Sequence, residues 1–186
     1  MNISSRNSRA LISSRIRRRT MLTALGAALL GLTSLAFAGW TPGTKLPDLG
    51  AFQIEGRLPA DLRGKVVLVD FWASWCAPCK ASFPVLEKLQ RDFGPRGLVI
   101  VAVNQDDTAG AMESFLQKTP VSFTVVRDAA HKMVEAADVQ SMPSSFLVDR
   151  AGIIRNVHTG FYGDKTAVQY AEEIEALLKT APGSQP

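Results

Sequence analysis

The chain contains two cysteines, and they stand three residues apart in Trp75-Cys76-Ala77-Pro78-Cys79. On a helix, positions i and i+3 share a face, so the two sulfurs can close a small disulfide ring or separate into thiols with little backbone motion. The motif follows an apolar run and opens a stretch with helical spacing, which puts Cys76 at a helix N-terminus. Unpaired N–H groups and the helix dipole there favour a thiolate, and a thiolate is a nucleophile. Cys79, one turn deeper, can attack the mixed disulfide that Cys76 forms with a substrate and so release it. Pro78 is tolerated in the first turn, whose N–H groups have no intrahelical partner. Two other uses of such a pair are weaker: zinc would need further ligands, and His131 and His158 stand at no ligand-like spacing. A purely structural disulfide closing so small a loop would add little stability through chain entropy.

The elements that must hold these sulfurs are legible around them. Residues 66–72 and 98–103 are nearly continuous apolar runs dominated by β-branched side chains, the pattern of strands covered on both faces in a largely parallel sheet. Between them, 76–93 carries Leu86, Leu89 and Phe93 at helical spacing, completing a βαβ unit. A second helix is expected after Thr108, with Met112, Phe115 and Leu116 on one face and Pro120 ending it. A third strand at 123–126 precedes a short helix containing Met133, Val134 and Ala137, capped by Asp128. Residues 145–148 and 153–159 read as two strands joined by a turn at 149–152. The last helix, about 164–179, places Ala167, Ala171, Ile174 and Leu178 on one face. The lead-in, 41–65, is rich in Pro and Gly with short apolar pieces and suits a hairpin or an irregular segment.

Charge separates a terminal segment from the rest. The 186 residues carry 21 Lys plus Arg against 17 Asp plus Glu, a formal +4. Six arginines and no acid lie in residues 1–38; without them the balance is −2. Those arginines, an apolar run at 21–38 and the triplet Ala36-Phe37-Ala38 follow the order of a secretory signal cleaved after Ala38. An uncleaved anchor is the alternative, since 18 apolar residues reach the lower edge of a spanning length. Arg18-Arg19 also resembles a twin-arginine signal. Residues 39–186 then form one domain, large enough to fold without a metal or staple, and its address is an oxidising space, the periplasm. With the arginines assigned to export, nothing supports nucleic-acid binding.

The run Val-Val-Leu-Val-Asp-Phe-Trp-Ala-Ser-Trp-Cys-Ala-Pro-Cys-Lys at 66–80 resembles the active-site stretch of the thioredoxin superfamily. The lead-in Leu-Arg-Gly-Lys-Val-Val at 62–67 and Phe-Leu-Val-Asp-Arg-Ala-Gly at 146–152 are similar to those of exported TlpA/ResA-like thiol-disulfide oxidoreductases. The resemblance covers most of 45–180. It implies an α/β thioredoxin-like fold, a central mixed sheet flanked by helices, with an N-terminal hairpin extension and a βα insertion. It makes Cys76 and Cys79 the catalytic pair, with no cofactor beyond their redox-active disulfide and no metal. It makes Asp70 the buried acid that takes the proton of the deeper thiol; a solvent-facing acid at a strand end is the alternative. It makes Pro143 a cis-proline which, with Met142, faces the cysteines and binds substrate backbone, and it makes Pro84 the kink of the active-site helix, leaving the Lys80 carbonyl without its usual donor. Trp75 either shields the thiol within the substrate contact surface or packs as an ordinary aromatic; Trp72 is expected in the core, and Lys80, His131 and His158 at the surface.

Two positions depart from the pattern. Ser82 stands where many exported members have a glutamate, and the 98–103 strand offers no lysine opposite the acid. Acid-base work would then fall on Asp70 or water. The leading functional expectation is a periplasmic, monomeric reductase of protein disulfides, because Ala77-Pro78 resembles reducing sites, whereas strongly oxidising members carry a histidine there. Its partners would be oxidised client proteins and a membrane thiol electron donor. An oxidase or isomerase on the same fold is the runner-up. A copper-binding assembly module is a third reading, disfavoured because such carriers have a wider cysteine spacing. A cytochrome-maturation role stays open, although the sequence around Pro143 lacks the Gly-x-Pro-Glu-Thr pattern of that branch.

Overall fold

A computed structural model describes residues 39–180; the expected signal or anchor at 1–38 lies outside the described residues. The elements are β1 (Val66–Trp72), α1 (Ala77–Phe93), β2 (Leu98–Asn104), α2 (Ala109–Lys118), β3 (Thr124–Arg127), α3 (Lys132–Ala136), β4 (Ser144–Val148), β5 (Ile154–Thr159) and α4 (Asp164–Lys179). They build one five-stranded sheet in the order β3-β2-β1-β4-β5. β1 pairs parallel with β2 and antiparallel with β4, so the sheet is mixed. β3 lies parallel to β2 at one edge.

β1 is central, and all seven of its residues are buried. Because side chains alternate across a strand, Leu68 and Trp72 face one layer while Val67, Val69 and Phe71 face the other. On the first side lie Phe83, Leu86 and Leu89 of α1 with Tyr170, Ile174 and Leu178 of α4. Trp72 packs edge-on against Phe83 with ring centroids 4.5 Å apart, and Phe115 of α2 completes the aromatic group. The second side is closed by Met133 and Ala137, and by Trp40, whose ring meets Phe71 and Phe146 edge-on at 5.7 and 5.3 Å. Each fully buried aliphatic or aromatic side chain contributes about 1.5–3 kcal/mol to this packing.

The lead-in is not the expected hairpin. Lys45 forms a bridge with Ile153, beside β5, and Glu55 forms one with Arg127 at the end of β3. The segment therefore crosses the second face of the sheet from one edge region to the other instead of folding back on itself. Pro42, Pro47 and Pro59 lack the N–H groups that a ladder needs, and the short 3-10 turn Leu49–Phe52, started by the Asp48 carboxylate accepting from Gly50, bends the path. Its apolar residues Leu49, Phe52 and Ile54 join the second core.

α4 is turned relative to its expected face. Thr166, Tyr170, Ile174 and Leu178 are buried, not Ala167 and Ala171, which are half-buried. The physical reason is size and polarity: the Tyr170 ring fills the core and its hydroxyl finds a partner inside it.

Candidate active site

Cys76 is the N-cap of α1, and Cys79 sits in its first turn. The two are joined in a disulfide, with Cα atoms 5.3 Å apart. The Cys79 backbone N–H donates to Cys76 Sγ at 3.3 Å, so the sulfur occupies the place of a capping oxygen. The two sulfur sites differ in access: Cys76 keeps 6% of its surface, and Cys79 has none. Inside α1, Pro84 supplies no N–H for the Lys80 carbonyl.

The loop before β4 faces this pair. The Met142–Pro143 peptide is cis, and the Met142 carbonyl oxygen lies 3.6 Å from Cys76 Sγ. Pro143 is buried, its carbonyl accepting from Gly160 N–H at 2.7 Å, and Ser144 Oγ donates to the Ser141 carbonyl. Trp75 is 68% exposed beside Cys76. Between Trp75, Met142, Gln105 and His131 runs a groove of about 330 Å³. A larger groove, about 790 Å³, lies at the opposite end of β1 against the lead-in and the β4–β5 turn, away from the cysteines. Trp72 is buried in the core and Lys80 is exposed, as expected.

Asp70 is buried within β1, opposite Ala102 of β2 and Ser145 of β4. Its Oδ1 accepts from Ser145 Oγ at 2.6 Å, while its Oδ2 is buried with no partner. Loss of solvation pushes its carboxyl up to about 7, against the pull of the Ser145 hydrogen bond toward lower values. The solvent-facing alternative for this acid is thereby removed. Ser82 is also buried, and its hydroxyl donates back to the Cys79 carbonyl at 2.8 Å, so it offers no base to the sulfurs.

His131 is exposed at the start of α3, where its Nδ1 meets Gln105 Oε1 at 3.0 Å. His158 is not the exposed residue the sequence suggested. Its side chain is 10% accessible, pairs with Glu173 at 2.7 Å and lies edge-on against Tyr170. α4 covers this face of β5, which strand alternation alone could not reveal.

Sequence reasoning also missed the frame that holds the cysteine loop. Asp106 accepts from Ser74 N–H at 3.0 Å, Asn104 donates to the same carboxylate, and Gln105 N–H ties back to the Trp72 carbonyl. Arg127, at the end of β3, donates to the Asp106 and Asp107 carbonyls and forks onto Glu55 of the lead-in. The only sequence signal was a charged pair, Arg127-Asp128, ending an otherwise apolar strand. A lysine carries no planar fork and would lose part of this set. Arg127→Lys is expected to cost about 1–2 kcal/mol in a urea melt, and unchanged stability would remove Arg127 from the frame.

Comparison with known proteins fits this geometry. The Redoxin family model matches residues 41–174. The chain belongs to the redoxin family. Among redoxin relatives, it is 34% identical over 138 residues to the thiol-disulfide oxidoreductase ResA of Bacillus subtilis, covering 74% of this chain and 75% of that one. It is 31% identical to ResA of Geobacillus thermodenitrificans, covering 87% and 97%. A Chlorobium tepidum protein described as the thiol:disulfide interchange protein DsbE superposes with a TM-score of 0.69 at 36% identity, covering 75% of this redoxin and 99% of that chain. This redoxin is a ResA-like thiol-disulfide oxidoreductase with a thioredoxin-like fold, and its Cys76–Cys79 pair has the geometry that such chemistry needs. Among the described residues no group of three or more His, Cys, Asp or Glu side chains could hold a metal ion, and no helix is long and apolar enough to cross a membrane.

Proposed function

We propose that this oxidoreductase works as a reductase of protein disulfides in the periplasm, with Cys76 as the attacking thiol, Cys79 as the resolving thiol and Asp70 as the proton acceptor. The observation that carries the order of events is the difference in access: a client can reach Cys76, at the edge, and has no path to Cys79. In the reduced enzyme the Cys76 thiolate attacks a client disulfide, forming an S–S bond to one client sulfur and expelling the other as a thiolate. Cys79 then gives its proton to Asp70 and attacks Cys76 Sγ. The enzyme disulfide closes and the second client sulfur leaves reduced. The client gains two electrons and the enzyme loses two, so a thiol donor must restore the pair.

The Met142 carbonyl beside Cys76 and the exposed Trp75 support a substrate surface made of Trp75, Met142 and Pro143, across which client backbone would lie. No other group is needed, since the disulfide is itself the redox couple, and the site is complete in one chain, which favours a monomer. Residues 1–38, with arginines, an apolar run and Ala36-Phe37-Ala38, support export of a 39–186 domain, and an oxidising destination calls for a membrane thiol donor.

Direction is tested by equilibrating the protein with glutathione. A midpoint near about −270 mV is expected, and one near about −120 mV would overturn the reductase assignment in favour of an oxidase.

A further inference from the structure

A row of polar side chains crosses the first face of the sheet, from the buried acid to the far edge. Asp70, Ser145 and His158 are direct register partners on β1, β4 and β5. α4 lies over them and lowers Tyr170 onto Ser145, with the two hydroxyl oxygens 2.6 Å apart. Ser145 has one hydroxyl proton, and it goes to Asp70 Oδ1. The Tyr170 hydroxyl must therefore be the donor to Ser145 Oγ. The chain has one direction, Tyr170 to Ser145 to Asp70, and it ends on one carboxylate oxygen. The other, Oδ2, is buried and unpartnered, which is costly unless a proton is placed there.

We propose that Ser145 and Tyr170 are positioning residues for proton transfer: the Ser145 hydroxyl, itself held by Tyr170, fixes Asp70 by Oδ1 and leaves Oδ2 as the atom that receives the Cys79 proton. The inference rests on the proton-acceptor role given to Asp70 above. In the step itself the Cys79 S–H bond breaks, an O–H bond forms at Oδ2, and the freed sulfur lone pair attacks Cys76 Sγ, releasing the client thiolate; no other reactant enters.

Among the neighbours of Asp70 the Ser145 hydroxyl is the one hydrogen-bonded to it, and Tyr170 acts on it through Ser145. β2 presents Ala102 opposite it, and α1 contributes Cys79 to the same core. α4 contributes Tyr170, whose hydroxyl burial pushes far above its ordinary range, so it remains a donor throughout the working pH range. The His158–Glu173 pair lies beyond the Tyr170 ring, and no hydrogen bond joins it to the hydroxyl chain. Where β2 would offer a lysine opposite the acid in typical thioredoxins it has Ala102 here, and the neutral hydroxyls on β4 and α4 steady the carboxylate without a full opposing charge.

The test is release of the second aromatic thiolate when reduced protein reacts with a chromogenic aryl disulfide, because that release reports Cys79 closing on Cys76. Followed against pH, Ser145→Ala should move the Asp70-dependent midpoint upward and slow closure near neutrality, by about tenfold if the midpoint rises by about one pH unit. Tyr170→Phe should do the same to a smaller extent, and Ser145→Thr, which keeps the hydroxyl, should restore the profile. The carboxyl-carbon NMR titration of Asp70 should move in the same order, a readout that loss of packing alone would not rank in this way. If Ser145→Ala and Tyr170→Phe titrate and close like the wild type while Asp70→Asn is slow, the hydroxyl proposal is overturned and the Asp70 role survives. If Asp70→Asn closes at the wild-type rate, the Asp70 role fails and takes this proposal with it.

Discussion

Cys79→Ser should stop turnover by at least about a thousandfold while leaving the first half-reaction intact, and Cys76 should accumulate as a mixed disulfide with its clients. The expectation follows from burial. Cys76 keeps a small exposed edge at the N-terminus of α1, where the helix dipole and the Cys79 N–H would favour a thiolate once the disulfide is reduced, so attack on a client should not need Cys79 sulfur. Resolution does need it, because no other cysteine exists in the chain. A serine hydroxyl in its place ionises far too weakly to attack a disulfide. Mass analysis of thiol-sensitive adducts gives the measurement, and Cys76→Ser is the control that should form none. If adducts instead form equally on Cys79 in the Cys76→Ser protein, the assigned order of attack is wrong.

Asp70→Asn should change how stability depends on pH, by an amount large for a single isosteric substitution. Folding raises the carboxyl of Asp70 from its ordinary 3.8 to about 7, chiefly through loss of solvation. A raised folded value means that the folded state holds the proton more tightly than the unfolded chain does. The associated stability is fully present below the unfolded value and is lost as pH rises through the folded one. From about pH 5 to about pH 8 the wild type should therefore lose roughly 2–3 kcal/mol relative to Asp70→Asn, whose side chain does not ionise. Comparing urea melts of the two proteins at both values isolates this difference, since any cost of the unpaired asparagine amide is the same at each pH. Parallel pH dependences would mean that Asp70 is solvated in the folded protein.

Where the sequence spoke through periodicity, it spoke clearly. β1 and β2 were visible as nearly continuous apolar runs because both faces of each are covered, and α1 was visible because its motif, proline and leucines agree. What escaped was set by register and by helix rotation. Nothing local says that Ser145 lies opposite Asp70; that pairing depends on how β4 aligns with β1. The sequence set Ala167 and Ala171 beside Ile174 and Leu178 on the buried face of α4, yet it is Thr166 and Tyr170 that turn inward with the latter two, and with Tyr170 the hydroxyl chain. His158 looked exposed for the same reason, since its cover comes from α4. The frame of Asn104, Asp106 and Arg127 was unreadable because its members come from two strands and the loop between elements, and its last member, Glu55, from a lead-in whose path runs across the sheet.

That path bears on where this protein can be cut. A fragment beginning at β1 would retain both cysteines, the cis-proline loop and every strand, yet it would shed Trp40 and Leu49 and uncover Phe71 and Phe146 where the Trp40 ring packs on them. Such a surface invites self-association. The covering strap begins near Trp40, some twenty-five residues before the first strand, and a chimera meant to borrow this active site should carry it along.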